Sequence, residues 1–219
     1  MRRIILLSII LFSAFSTFAQ TREKRFSLIP GIFCNSNFLS EDVTGFGGVL
    51  GLEYMKHKEH FFSIELRTKY GYYVFDDGTK WKNDGEGGFD PPKNPGEARV
   101  EYGLFSPQVG VVPKFYLHLE DLSLFLENEF ITGLITGKVK YQGYEKKIRI
   151  SEPIFSYNIG VGAIFKISKN SNSSFAASIG YSTLNLRSKI RRNQPLNHPF
   201  KIPDQDAIVM INLVFKVPL

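Results

Sequence analysis

Residues 61–75, FFSIELRTKYGYYVF, alternate large apolar groups with charges along their whole length. The even positions carry Phe62, Ile64, Leu66, Tyr70 and Tyr72, interrupted by Thr68. The odd positions carry Ser63, Glu65, Arg67, Lys69 and Gly71. Successive strand side chains point to opposite faces, so this stretch is a strand with one greasy face and one ionic face. Residues 154–167 repeat the pattern with Phe155, Tyr157, Ile159, Val161, Ala163, Phe165 and Ile167 on one side. Ser156, Asn158, Gly160, Gly162, Ile164 and Lys166 lie on the other. An uncharged alternate row of that length can cross a bilayer when the strand is tilted.

Period-two alternation recurs in eight segments: 25–37, 44–56, 61–75, 100–118, 122–140, 154–167, 174–186 and the closing residues to 219. The last holds an unbroken apolar row, Ala207, Val209, Ile211, Leu213, Phe215, Val217 and Leu219. Between segments, 76–99 loses all periodicity in Asp-Gly, Glu-Gly-Gly, Pro-Pro and Asn-Pro-Gly, which mark an extended loop. A second long loop is expected over 187–205, and 141–149 reads as a basic connection. The connections at 57–60, 119–121 and 168–173 are short. Pro30, Pro107, Pro113 and Pro153 fall within segments and imply bulges or strand ends, since proline gives no ladder donor.

The fourth and fifth segments meet at Glu120-Asp121. A turn there sets Leu117 opposite Leu124 and Phe115 opposite Leu126 on the apolar side. The same register sets Lys114 opposite Glu127 on the ionic side, with Glu129 one diagonal step away. Opposite charges meeting in an independently fixed register support the pairing.

In a soluble barrel or sandwich the apolar faces meet each other and the charged faces meet water. Here the apolar face is uniform, while the other mixes Gly, Ser and Ala with charges that can pair. A polar interior suits a barrel in lipid, where only a closed ladder satisfies every backbone group. Short and long connections alternate as in outer-membrane barrels, with short periplasmic turns and longer external loops. The expectation is an all-β, eight-stranded antiparallel up-and-down transmembrane β-barrel in the outer membrane of a Gram-negative cell. The rival is a soluble lipocalin-like binder, whose outward face would be polar.

Residues 1–19 read as a cleaved signal peptide: Arg2 and Arg3, an apolar run, then Thr17-Phe18-Ala19 before Gln20. The barrel domain is then 20–219. Losing both arginines takes the formal charge from +6 to +4, and no nucleic-acid motif accompanies it. Cys34 is the sole cysteine, which excludes an intrachain disulfide and a cysteine zinc cluster.

The leader ending, the alternation and the closing row Val209 to Leu219 resemble the small eight-stranded outer-membrane barrels of the OmpA/OmpX type. In particular the chain is similar to the outer-membrane β-barrel families of Bacteroidota, which include PorT-like proteins. That resemblance implies a porin-like architecture, with accessory service to a secretion system as one role. The chain departs from the pattern by ending Val217-Pro218-Leu219, with its last aromatic at Phe215.

Inward charges are Glu53, Glu65, Arg67, Lys69, Lys114, Glu127, Glu129 and Lys166. An eight-stranded barrel is filled by side chains, so these read as an internal ion-pair network; a gated pore or proton path is the functional alternative. The external rim gathers Lys138, Lys140, Lys146, Lys147 and Arg149, then Arg187, Lys189, Arg191, Arg192 and Lys201. They are candidate contacts for lipopolysaccharide phosphates, or else a solvated loop surface. A protein partner at external loops or periplasmic turns is the other contact expected.

His57, His60 and His118 fall at the periplasmic end, away from an outer-leaflet substrate. His198 is external, with no His-x-Ser pattern. A lipid A deacylase-like enzyme using His198 is therefore the alternative to a non-enzymatic barrel. No metal or cofactor is expected. Trp81, Tyr70, Tyr72, Tyr73, Tyr141 and Tyr144 read as an external aromatic girdle, and Tyr54, Phe61, Phe62, Phe115 and Phe165 as a periplasmic one.

Overall fold

The computed structural model describes residues 26–36, 44–55, 61–75, 100–119, 122–141, 146–167, 173–195 and 208–219. The expected leader, the loop with Trp81, Tyr144, His57, His60, His198 and Lys201 lie outside the described residues.

Eight antiparallel strands close on themselves in chain order. They are β1 (Phe26–Ser36), β2 (Thr44–Tyr54), β3 (Phe62–Phe75), β4 (Val100–His118), β5 (Leu122–Tyr141), β6 (Ile148–Lys166), β7 (Ser174–Ser182) and β8 (Ile208–Pro218). β1 pairs with β8, which removes the last sheet edge at their shared level. Passing from partner to partner around the circuit returns to β1 about ten residues further along, so the strands tilt steeply.

The alternation resolves as the sequence predicts. Outward residues include Ile32, Phe46, Leu50, Leu66, Phe130 and Val161, each at least half exposed. Glu53, Glu65, Arg67, Lys114, Glu127 and Glu129 are buried inside. This is the inverse of a water-soluble barrel and removes the lipocalin-like alternative.

Four expectations need correction. The third long-side connection shrinks because β6 begins at Ile148 and pairs with β5 up to Val139. The segment 174–186 stops as a strand at Ser182, and residues expected to form a loop become a helix, α1 (Leu186–Arg192). Asn185 caps α1 by accepting the Ser188 N–H at 2.8 Å. Third, Tyr73 and Tyr141 face inward and are buried, because they share the parity of the ionic residues on β3 and β5. The described outward aromatics at that end include Tyr70 and Tyr72.

Fourth, the prolines neither shift the register nor end a strand. β4 and β5 skip bridges around Pro107 and Pro113 and then resume the same pairing. Pro30 does likewise between β1 and β8. Pro153 keeps its β5 partner, Leu134. The Tyr157 N–H bonds to Thr183 Oγ1 beside β7, so odd residues of β6 point their N–H that way. Pro153 shares that parity and lies beyond the end of β7, where no strand ladder needs a donor.

Candidate functional site: the filled lumen and the basic rim

The interior has three levels. Toward the long-loop end it is apolar: Tyr73, Leu104, Ile135, Val139, Tyr141, Ile150 and Ile154 form one buried cluster. α1 completes it with Leu186 and Ile190. Tyr141 donates its hydroxyl to the Ile190 carbonyl at 2.8 Å, and Asn193 donates to Glu152 at 3.0 Å. The apolar positions of α1 follow the helical period, which carries Leu186 and Ile190 onto one face. At the short-turn end, Ile29, Val49, Tyr116, Phe125, Ala176 and Val214 form a second cluster.

The ions lie between. Arg67 is the hub: its guanidinium grips Glu65 through Nε at 2.6 Å and Nη2 at 2.9 Å. It also reaches Glu127 at 3.0 Å and Glu129 at 3.2 Å. Lys69 donates to Glu129 at 2.6 Å and sits 5.2 Å from the Phe33 ring centroid. Lys114 bonds Glu65 at 2.5 Å and lies 3.8 Å from Glu53. Lys216 and the Tyr116 hydroxyl close on Glu53, and Ser63 donates to it at 2.6 Å.

Neutral donors add to the charged ones. Asn158 donates to Glu129 at 2.6 Å, Ser178 to Glu127 at 2.6 Å, and Asn212 to Glu127 at 3.1 Å. The carboxylates Glu53, Glu65, Glu127 and Glu129 thus match the cations Arg67, Lys69, Lys114 and Lys216 one for one. Charge neutrality and shared hydrogen bonds are what make so deeply buried a cluster tolerable.

Lys166 does not belong to this group. It keeps inward parity but stands exposed at the short-turn end of β6. Lys216 takes the place expected of it. The signal was available: Lys216 is two residues from Val214 on the inward row of β8. Ser63, Tyr116, Asn158, Ser178 and Asn212 were hidden because neutral polar groups on an inward row look like filler.

The basic rim divides as well. Lys146, Lys147, Arg149 and Arg192 are exposed, Lys189 and Arg191 half-buried. Arg187 lies on the buried face of α1 itself, with Leu186 and Ile190, which takes it off the accessible rim. Lys138 of β5 and Arg149 of β6 are direct cross-strand partners, both outward and exposed. Lys140 extends the strip. Below it on the same face come Leu134 and Phe155, the latter 77 % exposed. Among the described residues no cluster of metal-ligating side chains occurs.

No protein-family model matches the sequence, and no curated protein matches it. In three dimensions the chain is similar to a major outer membrane protein of Thermus thermophilus. That likeness has TM-score 0.50 and 13% identity, covering 87% of this chain and 98% of that one. It is also similar to neisserial surface protein A (TM-score 0.45, 11% identity, 89% and 96% covered). The N-terminal β-barrel domain of Pseudomonas aeruginosa OprF gives TM-score 0.41 and 14% identity, with 88% and 96% covered. At these identities the likeness is one of fold.

Proposed function

We propose that this chain is an integral outer-membrane barrel without catalytic activity, whose long-loop rim binds lipopolysaccharide phosphates. The Lys138–Arg149 pair carries the reading. Like charges directly opposite on a sheet repel, and this pair stands just past the apolar belt, where a membrane presents its headgroups. An anionic phosphate between them turns repulsion into attraction, by point charge from lysine and a fork from arginine. Lys140, Lys146 and Lys147 broaden the site, and Lys189, Arg191 and Arg192 add basic charge on α1 at the same long-loop end. The apolar exterior and buried ions support membrane residence, since a closed ladder is the β-structure that lipid accepts.

Outer-membrane fractions run on a gel with and without boiling test the location: a folded barrel migrates differently after heating. Binding of purified lipopolysaccharide to the detergent-solubilised protein tests the rim. Lys138→Gln with Arg149→Gln should weaken it and flatten its salt dependence; unchanged binding ends the lipopolysaccharide reading. Lipid A acylation that changes with the gene would favour the deacylase-like enzyme instead. Copurification with secretion components would favour the accessory role that the PorT-like resemblance implies.

A further inference from the structure

The outward row of β5 runs Leu122, Leu124, Leu126, Asn128, Phe130, Thr132 and Leu134, then Thr136 and Lys138. Asn128 is the amide in that row, midway between Leu122 at the short-turn rim and Leu134. At about 3.3 Å per residue and a strand tilt of roughly 40°, it stands about 15 Å above that rim. The apolar band of an outer-membrane barrel is roughly 25 Å tall, so this depth is near mid-bilayer.

The Tyr157 hydroxyl donates to Asn128 Oδ1 at 2.6 Å, and the Tyr157 ring packs on Phe130 at 5.1 Å between centroids. That contact anchors the carbonyl and leaves Nδ2, whose protons meet no acceptor among the described residues. Asn128 is half-buried, while Leu126, Phe130 and its β6 partner Ile159 stand exposed around it. Thr68 of β3 gives the contrast. It is also outward and as far from the start of its strand, but its hydroxyl is satisfied by the Leu50 carbonyl at 3.1 Å. The hydrocarbon around Asn128 offers neither water nor an acceptor, and lipid ester carbonyls lie at the interface instead.

We propose that Asn128 is the centre of a contact between two copies of this chain in the membrane, each Nδ2 donating to the other copy's Oδ1. A carbonyl oxygen accepts two bonds, so Oδ1 keeps Tyr157 and gains the second amide. A second copy is the occupant because a two-fold axis along the membrane normal sets like against like. The two amides then meet at one depth by symmetry, which an unrelated partner would match only by coincidence. Leu126, Phe130 and Ile159 pack around the pair, as apolar groups do around a polar link between membrane segments. The contact rests on the outer-membrane reading.

The test is sedimentation equilibrium of the full chain in density-matched detergent micelles, over a range of protein-to-detergent ratios. Wild type should dimerise reversibly. Asn128→Leu should weaken the dimer about tenfold or more while keeping the heat-dependent gel shift. Asn128→Gln should restore part of the affinity, and Thr68→Val should leave it unchanged. In membranes, a benzophenone photo-crosslinker replacing Ile159 should give adducts at twice the mass of the chain. A wild type that shifts on heating yet stays monomeric, a dimer indifferent to Asn128→Leu, or adducts only with lipid or another protein overturns the contact. A wild type without the heat-dependent shift overturns the membrane reading beneath it, so the two failures are told apart.

Discussion

Lys114 and Glu127 are direct cross-strand partners on β4 and β5, yet each is bonded elsewhere. Lys114 reaches Glu65 on β3, while Glu127 is held by Arg67 together with Ser178 and Asn212. A long ammonium stem in a narrow lumen chooses among several carboxylates, and strand register alone does not fix that choice. A double-mutant cycle should therefore give Lys114 and Glu65 a coupling of about 0.5–3 kcal/mol, well above that of Lys114 with Glu127. Urea unfolding in vesicles reads it; equal couplings would refute the observed arrangement.

Arg67 is the member that touches most carboxylates. Arg67→Leu leaves Glu65, Glu127 and Glu129 crowded with reduced compensation, and should cost about 3–5 kcal/mol. Replacing Arg67 and Glu65 together by apolar residues should cost less than the single change, because no lone charge is stranded. Reversible unfolding of the purified barrel distinguishes the two outcomes.

Gly51 lies on the inward row of β2 against the Glu65 carboxylate, so an added methyl group would displace the centre of the network. Gly48 faces outward with nothing within 4 Å of an added Cβ. Gly51→Ala should destabilise by about 1–3 kcal/mol through overpacking, whereas Gly48→Ala should be neutral or mildly stabilising. A reversed order in the same unfolding assay would contradict the assigned faces.

Leu66 stands outward, 54% exposed, between Glu65 and Arg67, which are buried. Leu66→Arg should lower stability in a bilayer by about 2–4 kcal/mol if the residue lies at mid-membrane depth. An arginine tolerated there without loss would show that this face meets water.

At the long-loop end, Tyr141→Phe removes the hydrogen bond to Ile190 while keeping the ring, at a cost of about 0.5–1.5 kcal/mol. Ile190→Asp should release α1 from the apolar cluster altogether. Conductance across a planar bilayer should nevertheless stay near baseline, since the ion-pair layer still fills the lumen below. A large open current in Ile190→Asp would mean that α1 is the seal.

Much of this architecture is written in the alternation itself. The β4–β5 register follows from the two turn residues, and the inward row of β3 by itself holds Glu65, Arg67 and Lys69. Tyr73 and Tyr141 show where that reading fails, because aromatic character suggested an interface girdle while parity placed both inside. α1 escapes a sequence reading because its one apolar repeat, Leu186 and Ile190, is a single helical turn, too short to stand out in a proline-containing stretch.

Strand number, the sidedness of each strand and the direction of each hairpin are legible in the chain alone, because side-chain alternation is a local property of extended backbone. Which cation meets which carboxylate, and why Lys216 and not Lys166 completes the set, waits on the closed circuit. Those depend on strands distant in sequence meeting at a tilt, and the distances that select among equal charges exist only once the circuit is closed.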